Sequence, residues 1–150
     1  MKTLILAALL CALLALTSAQ GVFLCEVHES SEKNRCFTYV PRAMSWADAQ
    51  KNCRSLDANL ASVLDSREDR LIQKMIGDGT AAWLGGTDAK QEGNWSWTDG
   101  TPFRYTNWAP GQPDNWQGNE NCLHITAEGK MWNDLNCDQL LPSFCIKNLF

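Results

Sequence analysis

The chain is predicted to fold as one α+β domain held by disulfides. Three observations predict this. Two amphipathic helix patterns lie between Ser45 and Gly79, short strand patterns separated by Gly, Asn, Asp and Pro fill the chain from Ala81 onward, and six cysteines remain once an N-terminal export signal is set aside.

The export signal comes first. Met1-Lys2 is followed by thirteen apolar residues, Leu4 to Leu16, and by small residues ending at Ala19. A run of this length falls short of the roughly 20 residues that span a bilayer. Residues 1–19 are expected to be a signal peptide, cleaved after Ala19, with 20–150 forming a secreted, extracellular domain without membrane insertion. Losing Lys2 moves the formal net charge from −4 to −5, because residues 1–19 carry no other charged side chain. An acidic chain without a Lys/Arg cluster argues against nucleic acid and against anionic membranes.

Cys11 leaves with the signal, and Cys25, Cys36, Cys53, Cys122, Cys137 and Cys145 remain. An even number in an exported chain reads as a disulfide framework, although spacing alone does not choose the pairing. With all six paired, no thiol is left for catalysis or for a covalent dimer.

The first helix is announced by Ser45 with Asp48, a capping pattern, ahead of Trp46, Ala49, Cys53 and Leu56 on one face. Ser66 with Asp69 repeats the pattern ahead of Leu71, Ile72, Met75 and Ile76, and Gly77 or Gly79 ends that helix. Strand patterns follow at Trp83–Gly86, Trp95–Trp97, Cys122–Ile125, Lys130–Trp132 and Ser143–Ile146, with a turn at Glu128-Gly129. Between Trp97 and Cys122 lies a long segment without a strand pattern. It holds Phe103, Tyr105, Trp108 and Trp116, so composition does not make it disordered, and loops of this length are usually functional.

Oxygen-bearing side chains gather where this segment ends: Gln112, Asp114 and Glu120, then Asn133 and Asp134. Calcium takes about six to eight oxygen ligands, including carboxylates and amide carbonyls. Zinc would call for His or Cys, and magnesium for fewer carboxylates and more water. Three carboxylates against Ca²⁺ leave a charge of about −1, which neutral hydroxyls can join without penalty. The amides of Gln112 and Asn133 offer N–H donors beside their ligating carbonyls, so a vicinal diol can be read by coordination and hydrogen bonds together. A cis bond at Pro113 would turn Gln112 and Asp114 toward one point.

Trp83-Leu84-Gly85-Gly86, Gln112-Pro113-Asp114, Glu120 two before Cys122, Trp132-Asn133-Asp134 and the cysteines at 53, 122, 137 and 145 together resemble the C-type lectin domain. The resemblance covers nearly all of residues 25–150 and is nearest in kind to soluble single-domain galactose-type members of fish. It implies a long-form α+β fold: two helices flanking small, mostly antiparallel sheets, a long calcium-binding loop and three disulfides, Cys25–Cys36, Cys53–Cys145 and Cys122–Cys137. Closing the Cys53–Cys145 loop would contribute about 4–5 kcal/mol on a chain-entropy account. It implies Ca²⁺ held by Gln112, Asp114, Glu120, Asn133 and Asp134. Sugar would be held by Gln112, Asp114, Glu120 and Asn133, with Trp116 stacked on its apolar face. In this family Gln-Pro-Asp goes with galactose-type ligands and Glu-Pro-Asn with mannose-type ones.

Two departures temper the expectation. Only Gln117-Gly118-Asn119 separate Trp116 from Glu120, where strong galactose binders carry a glycine-rich insertion, so discrimination against mannose is expected to be incomplete. An auxiliary calcium site would use Asp88 and Glu92, but Asn115 and Asn121 stand at its other two acidic places, so it is expected to be weak.

His28 and His124 are the only histidines, and His124, in a strand pattern, is expected to be structural. Asn94-Trp95-Ser96 is a glycosylation sequon. The expected function is a secreted lectin, not an enzyme, recognising galactose-ended glycans on microbes or cells in an innate-immune role. Avidity would come from a non-covalent homo-oligomer. The competing expectation is a non-sugar member of the same family, ice-binding or protein-binding as in venoms.

Overall fold

The computed structural model describes residues 23–26 and 34–149. The signal peptide, His28 and the side chain of Cys25 lie outside the described residues.

Strand β1, Leu24–Glu26, pairs with β2, Asn34–Met44. Helix α1, Trp46–Ser55, follows, capped as expected by Ser45, whose side chain accepts the N–H of Asp48. Its Ala49 and Cys53 are fully buried, with Trp46 and Leu56 packed beside them. Strand β3 is Asn59–Leu60, and helix α2 is Ser66–Met75. The second capping expectation is corrected. Asp65, not Ser66, caps α2, accepting the N–H groups of Arg67 at 2.8 Å and Glu68 at 3.1 Å. Asp69, taken from the sequence as half of a capping pair, turns into the core instead.

The remaining strands are β4, Ala82–Thr87; β5, Ser96–Trp97; β6, Cys122–Ile125; β7, Trp132–Leu135; and β8, Leu141–Leu149. Among the described residues they form one connected sheet, ordered β1-β2-β8-β4-β6-β7, with β3 added to β8 and β5 to β4. The small sheets expected from the sequence are thus joined, through a parallel pairing of Trp83 with Ser143 between β4 and β8. All other strand pairings are antiparallel. Strand β7 starts at Trp132, not Lys130, because Lys130 adopts a left-handed φ of 52° in the turn.

The glycines of Trp83-Leu84-Gly85-Gly86 are required by close approach. A Cβ on Gly85 would lie 2.5 Å from the carbonyl oxygen of Leu60, and one on Gly86 would lie 2.8 Å from the Leu123 side chain. Cys53–Cys145 ties α1 to β8, and Cys122–Cys137 ties the start of β6 to the segment after β7. Cys36 is disulfide-bonded too, and the β1–β2 register sets Cys25 opposite it.

Two buried acids on α2 brace this scaffold in different ways. Glu68 is met by a cation: Arg35 on β2 donates to it at 2.6 Å and 3.3 Å, and to the carbonyl and hydroxyl of Ser62. The Ser62 hydroxyl in turn donates to Asp99. Asp69, only 2% exposed, is met by neutral donors: Asn107 at 2.7 Å, Gln73 at 2.9 Å, the Trp132 indole at 3.1 Å and the Tyr105 hydroxyl at 3.2 Å. Burial pushes the Asp69 pKa up against these bonds, and burial with the Asp69 charge pushes Tyr105 to about 12.

Trp132 is also the centre of the ring cluster that organises the long segment. Trp97, Phe103, Tyr105 and Trp108 all approach it edge-on, at centroid distances of 5.6, 6.3, 5.7 and 5.9 Å. Its backbone accepts the N–H of Ala109 and donates to Asn107, both at 2.8 Å.

Removing Glu68 takes from the buried Arg35 guanidinium its nearest anion and leaves it Ser62 and the Asp99 carboxylate at 3.9 Å. Glu68→Ala is expected to destabilise the domain by about 3–5 kcal/mol, read as a lower urea midpoint at unchanged slope.

Candidate metal and ligand site

The five oxygen-bearing residues expected to act together come from three places in the fold. Gln112 and Asp114 flank Pro113 at the end of the long segment, and the Gln112–Pro113 bond is cis. Glu120 precedes β6. Asn133 and Asp134 lie on β7, where the β6–β7 register sets them opposite His124 and Leu123. The Cys122–Cys137 bridge closes the same hairpin just beyond.

Asp114, Glu120 and Asp134 each place a carboxylate oxygen within 4.8 Å of the others. Asp134 is 1% exposed, and its two oxygens accept the N–H groups of Asp114 at 3.1 Å and Asn115 at 2.7 Å. Glu120 accepts the N–H of Trp116 at 3.1 Å, and its own N–H donates to the Asn115 side chain at 3.0 Å. Burial pushes the Glu120 pKa up. The Trp116 N–H pulls it down, and the carboxylates of Asp134 and Asp114 add to the rise.

Among the described residues, no Lys or Arg forms an ion pair with these three acids. The amide oxygens of Gln112 and Asn133 are buried and have no hydrogen-bond donor. A buried carbonyl without a partner is costly and uncommon. Gln112 lies two residues before Asp114 and Asn133 one before Asp134, so these two carbonyls and the three carboxylates make a candidate all-oxygen donor set that lacks a positive charge. A hard divalent cation of calcium type fits it, and a zinc ion, which favours His and Cys, does not.

The second set assembles less completely. Asp88 is buried, with one oxygen accepting the Gly93 N–H at 2.8 Å and the other unpaired. Loss of water, then the charge and a hydrogen bond of Asp88, push the Glu92 pKa up, and a hydrogen bond from the Asn115 side chain lowers it. Asn121 meets this region through its backbone carbonyl, which accepts from the Thr87 hydroxyl at 2.7 Å and the Asp88 N–H at 3.3 Å. Among the described residues, only the first set gathers three acids.

Trp116 is 63% exposed on a 3-10 turn, Trp116–Gly118. The turn is closed by the Gly118 N–H bonded to Asn115 O at 2.8 Å, and Asn115, Gln117 and Gly118 all adopt left-handed φ. His124 is buried edge-on to Trp83 at 6.0 Å, and burial lowers its pKa to about 4, so it stays neutral. Asn94 is exposed ahead of β5.

Residues 42–147 match the family described as lectin C-type domain. The chain belongs to the C-type lectin domain family. The lectins of this family are carbohydrate-binding, not catalytic, domains. The chain is 43% identical to ladderlectin of Oncorhynchus mykiss over 115 residues, 73% of this chain and 60% of that protein. It is 39% identical to the galactose-specific lectin nattectin of Thalassophryne nattereri over 120 residues, 77% of this chain and 76% of nattectin. A solved calcium-independent type II antifreeze protein has a TM-score of 0.72 at 33% identity, covering 84% of this chain and 95% of that one. The chain thus spans less than two thirds of ladderlectin's length, and the family includes a calcium-independent member. Membership alone does not assign an ion to this site; its donor set is what argues for one. No helix among the described residues is long and apolar enough to cross a membrane.

Read from the sequence, Asp69 stands in a capping pair, Tyr105 only among the loop aromatics and Asn107 nowhere, which misses that the three together fix the loop, although an acid at Asp69 on the same face as Ile72 and Ile76 is the signal that was there to read.

Glu120 gives a pH test in calcium-free protein. Its folded pKa lies above its unfolded one, so the folded state gains a proton first and its penalty, fully present at neutral pH, fades as pH falls through that window. Calcium-free Glu120→Gln is therefore expected to be more stable than the parent chain at pH 7, the difference shrinking toward pH 4, as read by thermal melts.

Proposed function

We propose that this chain is a secreted, calcium-dependent lectin that prefers galactose-type glycans. The observation that carries this is the cluster of Asp114, Glu120 and Asp134 carboxylates, together with buried amide oxygens on Gln112 and Asn133 that have no donor. Gln112, Asp114, Glu120, Asn133 and Asp134 would hold the ion. Bound calcium supplies open coordination positions for two sugar hydroxyls. The chain's own part is complementary: the Gln112 and Asn133 amides donate to those hydroxyls while Asp114 and Glu120 accept from them.

Gln112-Pro113-Asp114 supports galactose over mannose, and so does the likeness to a lectin named galactose-specific. Exchanging amide and carboxylate around the ion exchanges donor and acceptor, which suits an axial 4-hydroxyl. Trp116 would cover the sugar's apolar face. With only three residues between Trp116 and Glu120, residual mannose binding is part of the reading. The Asp88, Glu92, Asn115 and Asn121 set is assigned a weaker second ion. Residues 1–19 act as the export signal, and a weak single site acts through a non-covalent homo-oligomer on microbial or cell surfaces.

The likeness to an antifreeze protein keeps a second reading, a non-sugar role. Six mature cysteines and a complete ligand set favour the lectin.

On a galactose column the domain is expected to be retained with calcium and released by chelator or free galactose, and far less by mannose. Asp114→Ala is expected to abolish retention while the far-UV spectrum stays unchanged. Calcium binding without retention on any sugar column would favour the second reading.

A further inference from the structure

A pocket of about 240 Å³ opens beside Glu120, and neither Gln112 nor Asp114 lines it. One wall is the 3-10 turn, with Trp116, Gln117 and Asn119. The other is the segment after β7, with Leu135, Asn136 and Gln139. We infer that this pocket is a subsite for the sugar unit next to the one held at the metal. The inference rests on the lectin reading above and extends it from a monosaccharide to a disaccharide.

The lining chemistry points to a neutral saccharide. Four of its residues carry side-chain amides, each able to donate and to accept, as hydroxyls do. Among the hydrogen bonds of the described residues, only the Asn136 amide has a partner, the Asp138 N–H at 2.9 Å. The rest of the lining is the Trp116 ring and the Leu135 side chain, the apolar surface that a pyranose face needs. Glu120 is its one ionisable group, and that carboxylate already accepts the Trp116 N–H. No cation lines the pocket to neutralise a sulfate, phosphate or sialic acid. Four amides also suit it poorly to an alkyl chain. The volume lies below the roughly 300–1,000 Å³ of pockets for drug-sized ligands, which limits it to one small unit.

Continuity with the metal site gives the pocket its direction. Glu120 belongs to both, and the exposed Trp116 ring lines the pocket as well. A glycan whose terminal sugar sits at Gln112 and Asp114 would therefore leave past Trp116 toward Gln139.

The test is calorimetry in saturating calcium with methyl β-galactoside, octyl β-galactoside and galactose-ended disaccharides of β1-3 and β1-4 linkage. At least one disaccharide is expected to bind about five- to tenfold tighter than methyl β-galactoside, the worth of one or two net hydrogen bonds. The double variant Asn119→Ala, Gln139→Ala is expected to remove that advantage without changing calcium affinity or binding of methyl β-galactoside. Equal binding of mono- and disaccharides overturns the subsite alone, as does equal loss for both in the variant. Octyl β-galactoside binding tighter than every disaccharide would assign the pocket to an alkyl group and overturn it too. Loss of all galactosides with calcium still bound would overturn the lectin reading and the subsite with it.

Discussion

The candidate site depends on a carboxylate that lies outside it, in the core. Asp69 sits inside α2 and gathers four neutral donors, two of them from the long segment and one from Trp132. That segment has little ladder of its own, so its course is set by these bonds and by the rings packed edge-on to Trp132. The next two residues after Trp132 are Asn133 and Asp134. The interaction that orders the loop therefore also fixes the strand that carries two of the site's oxygens, and the Asp134 carboxylate then draws in the N–H groups of Asp114 and Asn115. From core to site, the chain of contacts is unbroken.

The contrast between the acids of α2 and those of the site, of which Glu120 and Asp134 are buried and Asp114 is exposed, gives the site its meaning. Glu68 receives the Arg35 guanidinium, and Asp69 receives four hydrogen-bond donors. Asp114, Glu120 and Asp134 receive a few backbone N–H groups and one another. Among the described residues this group has no Lys or Arg partner, and the buried amide oxygens of Gln112 and Asn133 lack donors as well. Such a deficit is the feature of a site completed from outside the chain. Burial first, and the neighbouring carboxylates after it, raise the Glu120 pKa.

Much of this was legible in the sequence because the informative residues are close together along it. Gln112, Asp114 and Glu120 fall within nine residues, and Asn133-Asp134 are adjacent. Helix stripes and the Gly85-Gly86 pair carried their usual signals. What was not legible depended on long-range contact. Strand β2 was not singled out, since Asn34–Met44 mixes Arg35, Pro41 and Arg42 into its pattern and has a register shift near Val40. Asp69 imitated a capping residue because its spacing from Ser66 fits that motif, and only the distant Trp132 and Asn107 reveal its role. The amides of Asn119, Asn136 and Gln139 are ordinary surface residues until the fold sets them around one pocket.

Calorimetric titration of calcium into the disulfide-intact domain, freed of ion by chelator, tests the central claim most directly. The account predicts one firm calcium per chain, a second far weaker, and a rise in melting temperature that saturates with the first. Absence of both heat and thermal shift at millimolar calcium, in protein shown to be folded, would contradict it.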